Sequence, residues 1–311
     1  MEKQGLVHKM LEHMEQVIIG KREVLELVIV ALISEGHILL EDVPGVGKTT
    51  LANALAHTIH SGFSRIQFTP DTLPSDITGM TIYNMQNGQF ELVKGQIMNH
   101  IILADEINRT SPKTQASLLE AMEERQVTVD GKSYQLPQPF MVIATQNPID
   151  YLGTYNLPEA QLDRFLMKIS IGYPDKQSEI KMVQAFLEDS KWKQIDYVVE
   201  EADIIAMIKE VQLVKVHPDL IDYLLRLVEE TRNNSAISLG ASPRATLALS
   251  RSSQALAYMN GRDFVIPDDI RKMVIPVLAH RLVLSSEAKL NKQTPEKLLK
   301  VILSKIKQPT L

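Results

Sequence analysis

No cysteine occurs among the 311 residues, which rules out disulfides and thiolate metal sites and fits a reducing compartment, the cytoplasm. No apolar run reaches the roughly 18 residues needed to cross a bilayer, so membrane insertion is not expected. The opening MEKQGLVHKMLEHMEQ interleaves acids, bases and short apolar steps, unlike a secretory leader. Long Lys/Arg blocks are missing and the formal net charge is −5. Nucleic acid is therefore not expected as the main partner, because neutralising phosphates takes a basic surface. His57 and His60 stand three apart on one helical stretch but have no third ligand near them in sequence. Nor is there a Ser/His/Asp arrangement that would support nucleophilic catalysis.

What is present divides into two textures. Up to about Pro174, short β-branched runs alternate with helical patterns: HILLED (37–42), SRIQFT (64–69), HIILADE (100–106), FMVIATQN (140–147) and LMKISI (166–171). Nearly continuous apolar content marks parallel strands covered on both faces, and alternation with helices implies an open α/β sheet. After Pro174 the strands all but vanish. HPDLIDYLLRLVEETRN puts Leu220, Tyr223, Leu224 and Leu227 on one stripe, and Pro243, Pro267 and Pro295 each sit at the first turn of an expected helix. The expectation is an α/β domain over 1–175 and a helical domain over 176–311, joined at a hinge near GYPDKQSE, with Trp192 anchoring the linker. Asn87-Gly88 and Asp130-Gly131, each between short alternating stretches, predict two hairpins projecting from the sheet domain.

VPGVGKTT follows a strand and opens a helix, the context that makes Gly47-Lys48-Thr49 a phosphate-binding loop. Backbone N–H groups from Gly45 to Thr49 would cradle an anion at the helix N-terminus, Lys48 would reach the terminal phosphates, and the Thr49 hydroxyl would hold Mg2+. Asp42 stands where the usual pattern has its first glycine. It lies at the strand exit, before the cradle begins, and need not touch phosphate. A second apolar strand ends in Asp105-Glu106: Asp105 is the candidate Mg2+ ligand through water, and Glu106 the candidate base for the attacking water.

VPGVGKTTLANALA, LADEINR, SLLEAMEERQVTV, ATQNP and LPEAQLDRF together resemble the AAA+ ATPases, specifically the MoxR family, over nearly the whole chain. The resemblance implies a P-loop AAA+ core with a parallel sheet flanked by helices, plus a C-terminal all-helical lid. It implies ATP and Mg2+ as cofactors, held by Pro44, Gly45, Val46, Gly47, Lys48, Thr49 and Thr50, with Ile19 and Gly20 lying against adenine. Asn147 matches the polar sensor of the γ-phosphate, Arg164 the arginine finger inserted into a neighbour's site, and Arg244 the second sensor at a lid-helix N-terminus. Gln67 falls at the position that restrains the catalytic acid between turnovers. The two hairpins match an insert within the second helix (74–99) and a hairpin before the first sensor (125–137), both expected to touch substrate or partner.

The activity so implied is ATP hydrolysis by a homo-oligomeric ring, a hexamer. The ring would remodel or activate a client protein, with metal or cofactor insertion as a variant and a von Willebrand factor A domain protein as partner. Helicase and restriction-enzyme subunits share this ATPase core, so a nucleic-acid motor or loader is the alternative. The acidic balance and the lack of a fused DNA-binding domain weigh against it, and the Gly-Ala-Phe-Thr-Gly-Ala loop of enhancer-binding activators is absent. A regulatory module cycling between ATP and ADP is a third reading, which Glu106 and Arg164 disfavour.

Overall fold

The computed structural model describes residues 1–147, 154–187 and 197–310, the side chains of 185 and 186 excepted. Trp192 and the residues just after Asn147 lie outside them. Two helices, α1 (Gln4–Glu15) and α2 (Arg22–Ile33), precede the first strand, β1 (Ile38–Glu41). Then come α3 (Lys48–Ile59), β2 (Phe63–Gln67), the short α4 (Pro74–Thr78), a hairpin of β3 (Gly79–Asn84) and β4 (Gln89–Lys94), and β5 (Ile101–Asp105). After α5 (Pro112–Glu124) a second hairpin, β6 (Gln126–Val129) and β7 (Lys132–Gln135), leads into β8 (Met141–Gln146), α6 (Glu159–Leu162) and β9 (Met167–Ile169).

Five strands form one sheet in the order β2-β5-β8-β1-β9, every pair parallel. Strand alternation divides their side chains between two layers. Leu39, Ile102, Ala104, Val142 and Ala144 face α5, which contributes Leu118 and Met122. Ile38, Leu40, Ile101, Leu103 and Ile143 face α2 and α3, where Leu51, Leu55 and Ile59 are buried on one stripe. Because the strands are parallel, all carboxyl ends lie at one edge, where open α/β sheets bind ligands.

Helices dominate the rest: α7 (Lys176–Leu187), α8 (Glu201–Gln212), α9 (Pro218–Asn233), α10 (Pro243–Met259), α11 (Pro267–Leu278), α12 (Ser286–Leu290) and α13 (Pro295–Lys305). The proline-led starts are visible in the caps. The Ser242 hydroxyl accepts from Ala245 N–H at 3.1 Å, Thr294 accepts from Lys297 N–H at 3.3 Å, and Ile266, lacking a hydroxyl, has its own N–H bound by Asp269 at 2.9 Å. Alongside these helices runs one short antiparallel ribbon, β10 (Ile237–Leu239) with β11 (Val283–Leu284), which sequence periodicity does not reveal. This helical part shares a core with the rest of the chain: residues of α1, α2, one face of the sheet, and α8 to α11 belong to one contiguous apolar cluster.

Both expected hairpins form. Asp130 and Gly131 make a two-residue turn with φ of 48° and 77°, the geometry that matches strand twist. Asn87-Gly88 instead closes a four-residue loop, with Asn84 and Asn87 carboxamides accepting from Gln86 and Gln89 N–H groups. This hairpin follows α4, and no helix resumes between it and β5, so it does not split a helix in two.

Candidate functional site: a phosphate-loop cleft and an arginine pair

At the exit of β1 the chain turns through Pro44 to Gly47 and enters α3. Gly47 caps that helix at φ 91°, left-handed backbone that glycine reaches without steric cost. Asp42 points the other way. Its carboxylate is buried and accepts from the backbone N–H of Ile171, from Gly172 N–H at 3.2 Å and from the Ser170 hydroxyl at 3.2 Å, fastening the exit of β1 to that of β9. The Asp42 carbonyl accepts from Lys48 Nζ at 2.7 Å, so the lysine arches over the loop.

The loop forms one wall of a cleft of about 550 Å3 at the carboxyl edge of the sheet. Pro44, Gly45, Gly47, Lys48, Thr49 and Thr50 line it on one side; Arg65, Gln67, Asp105, Glu106 and Asn147 line the other. Val46 is half-buried and packs against the core. Asp105 ends β5 and is buried, and Glu106 follows at φ 59°, uncommon for a residue with a side chain and typical of sites where geometry is imposed.

A threonine that sequence reasoning passed over organises the two acids. The fully buried Thr145 hydroxyl donates to Asp105 Oδ1 at 2.6 Å and accepts from Glu106 N–H at 2.8 Å. On the open side, Arg65 Nη2 donates to Asp105 Oδ2 at 2.6 Å and to Gln67 Oε1 at 3.0 Å. Gln67 Nε2 in turn donates to Glu106 Oε2 at 2.9 Å, the oxygen that Arg109 also reaches at 2.9 Å. Gln67 is in register with Asp105, and Arg65 stands two residues earlier on the same strand face, a placement that only the assembled sheet reveals. Asn147, at the end of β8, is buried against the same cleft.

Ile19 and Gly20 do not line this cleft. They occupy the turn between α1 and α2, and Gly20, at φ 74°, abuts the start of α7 so closely that a Cβ there would sit 2.0 Å from Ser178 Oγ. His57 is exposed, and the His60 ring stacks on Tyr197 with centroids 4.1 Å apart.

Arg164 and Arg244 lie elsewhere, together. Arg164 Nε is 3.0 Å from Glu123 Oε2, and Arg244 bonds the other oxygen of the same carboxylate. Glu123 is in the last turn of α5, and the surrounding pocket of about 530 Å3 is lined by Glu35 to His37, just before β1, and by Leu166, just before β9. That is the amino edge of the sheet. The four residues of β1 alone put about 13 Å between this pair and the phosphate loop of the same chain. Sequence reasoning supplied both arginines but not their pairing or Glu123.

The pocket's floor is fixed by Arg281, which donates to Asp163 Oδ1 at 2.7 Å and to the carbonyls of Phe165 at 2.6 Å and Leu166 at 3.1 Å. Burial pulls this guanidinium below the usual arginine value, opposed by Asp163. His37 adds no charge here. Burial pushes its pKa down to about 4, and the neutral ring accepts from Val142 N–H and donates to the Met122 carbonyl.

Comparison with known proteins agrees with this fold. Residues 37–167 match the ATPase family associated with various cellular activities (AAA), and residues 229–302 match the AAA lid domain. The chain is 48% identical over 304 residues to the uncharacterized protein YeaC of Bacillus subtilis (strain 168), covering 98% of this chain and 95% of that one. It is 40% identical over 305 residues to Chaperone MoxR1 of Mycobacterium tuberculosis, covering 95% and 80%. A crystal structure of a proposed ATPase from Cytophaga hutchinsonii superposes with a TM-score of 0.93 at 38% identity, covering 99% of this chain and 96% of that one.

Proposed function

The chain belongs to the MoxR family of AAA+ ATPases, and from that premise we propose that it is a Mg2+-dependent ATP hydrolase that acts as a ring of identical subunits, six by family resemblance. Each ring would remodel or activate a client protein in the cytoplasm. The relative named a chaperone supports that task. So does the hairpin of β3 and β4, which offers Met85 and Phe90 to solvent as contact residues. A von Willebrand factor A domain protein is the partner class this reading carries over from the resemblance, with metal or cofactor insertion as its variant.

One observation carries the reading: the phosphate-loop cleft and the Arg164–Arg244 pair sit at opposite edges of the same sheet. Loop, lysine and acids occupy the carboxyl edge; two guanidinium groups occupy the amino edge. Within one subunit they cannot meet. In a head-to-tail ring the arginine edge of one copy faces the cleft of the next, and a triphosphate carries more charge to attract Arg164 and Arg244 than Glu123 does.

Each group then has a physical task. The loop N–H groups and Lys48 bind the phosphates, and Asn147 senses the terminal one. The Thr49 hydroxyl and the Asp105 carboxylate are hard oxygen donors that suit Mg2+, which would neutralise phosphate charge when bound. Glu106 orients and deprotonates the attacking water once it is released from Gln67 and Arg109. Arg164 and Arg244 stabilise the charge spread over the transferring group from the neighbouring subunit. Ile19 and Gly20, held beside α7, would complete the adenine side.

The test is complementation. Glu106→Gln and Arg164→Ala proteins are each expected to lose hydrolysis at saturating ATP while still binding a fluorescent ATP analogue. Mixed in equal amounts, they create intact interfaces at roughly a quarter of positions, where an unaltered cleft meets an unaltered Arg164. Turnover reappearing on mixing is the expected result. Persistent inactivity of a mixed ring would remove the shared site.

A further inference from the structure

We propose that Arg65 is a displaceable internal cation on the metal-binding acid: it competes with Mg2+ for Asp105, and its departure loosens the restraint on Glu106. The inference rests on the reading that Asp105 and Thr49 hold Mg2+.

The two oxygens of Asp105 are held by very different donors. Oδ1 accepts from the Thr145 hydroxyl, which is fully buried and fixed by the Glu106 N–H. Oδ2 accepts from Arg65, whose side chain is 47% exposed against 12% for its partner. Only the second donor can leave without disturbing the core. An ion pair whose cation is half in water is a weak one, because the guanidinium recovers its hydration on leaving. A divalent cation arriving with phosphates therefore meets an acid already neutralised by a neighbour that can yield.

Displacement would reach further than Asp105. The Arg65 nitrogen that bonds the acid also donates to Gln67 Oε1. That bond fixes which end of the Gln67 amide is the acceptor, and so turns Nε2 toward Glu106, where it donates at 2.9 Å. Asp105, Arg65, Gln67 and Glu106 thus form one polar chain across the open side of the cleft. With Arg65 gone, the amide loses the donor that sets its orientation, and Glu106 loses one of the two side-chain donors it has among the described residues, Arg109 being the other. Metal arrival and release of the catalytic base become linked through one guanidinium.

The experiment is a Mg2+ titration of the full-length protein, read by the fluorescence of a bound N-methylanthraniloyl ADP and so independent of hydrolysis. Arg65→Gln is expected to lower the Mg2+ concentration at half-maximal change by about three- to tenfold. Gln67→Leu keeps the Arg65–Asp105 pair and is expected to stay within about twofold of the parent. If Mg2+ tightens ADP in the parent but Arg65→Gln leaves its midpoint unchanged or raises it, the competition is refuted. The same holds if Gln67→Leu shifts the midpoint as far as Arg65→Gln does. If Mg2+ has no effect on ADP in the parent, the assignment of Asp105 and Thr49 falls first, and this inference with it.

Discussion

Asp42 shows at the scale of one residue why a motif and the force behind it can diverge. The phosphate-loop pattern has glycine at this position, yet the Asp42 carboxylate gathers three donors from residues 170–172 and lies away from the cradle. Restoring the pattern with Asp42→Gly would leave the buried Ile171 N–H and the half-buried Gly172 N–H without that partner. The expected outcome is a loss of about 2–3 kcal/mol in urea unfolding with no gain in nucleotide affinity. Tighter ATP binding in that variant would show that the acid does act on phosphate. Lys48, Thr49, Asp105 and Glu106 were legible in the sequence because each stands at a fixed offset from a strand end, and local geometry alone delivers it to the cleft. Thr145 and Arg65 were not, because their roles depend on strand order: β8 and β2 flank β5 only after the sheet assembles.

Helix ends explain the arginine pair at the scale of elements. Glu123 stands in the last turn of α5, where the helix dipole disfavours an acid; Arg244 stands in the first turn of α10, where it disfavours a base. Each misplaced charge is the other's remedy, and Arg164 joins them through the second carboxylate oxygen. The sequence shows the two misplacements separately, but bringing α5 to α10 is a tertiary event across 121 residues. Without the carboxylate, the two guanidinium groups repel and lose alignment. Glu123→Gln is therefore expected to lower kcat about tenfold while affinity for a fluorescent ADP changes less than about twofold, since its own cleft is at the far edge. Affinity falling in step with kcat would place Glu123 in a structural role instead. The hairpins carry the same lesson: Asp130-Gly131 was readable as a two-residue turn, whereas the asparagine side chains around Asn87 stabilise a longer loop that no dipeptide rule contains.

The whole molecule is held by a core that ignores the change of texture near Pro174. That change is real in the sequence, because parallel strands and helices need different patterns, but apolar faces pack where they meet. α2 lies against α8 and α10, and its buried Leu25, Val28 and Ile29 belong to the same cluster as Leu249, Leu256 and Met273. Arg281 adds a polar fastening, filling the carbonyls of Phe165 and Leu166 from the helical side. A fragment of residues 1–175 would expose the outer face of α2 and leave those buried carbonyls and Asp163 without their donor. It is expected to lack a cooperative urea transition by far-UV circular dichroism, whereas the full chain unfolds in one. Two resolved transitions in the full chain, or a fragment that folds alone, would mean that the helical part is a separable lid. A single unit would instead let nucleotide bound at the carboxyl edge act on the shared core, including the floor under Arg164 and Arg244. Through that shared packing, the state of one cleft would reach Arg164 and Arg244 and, in the proposed ring, the next subunit.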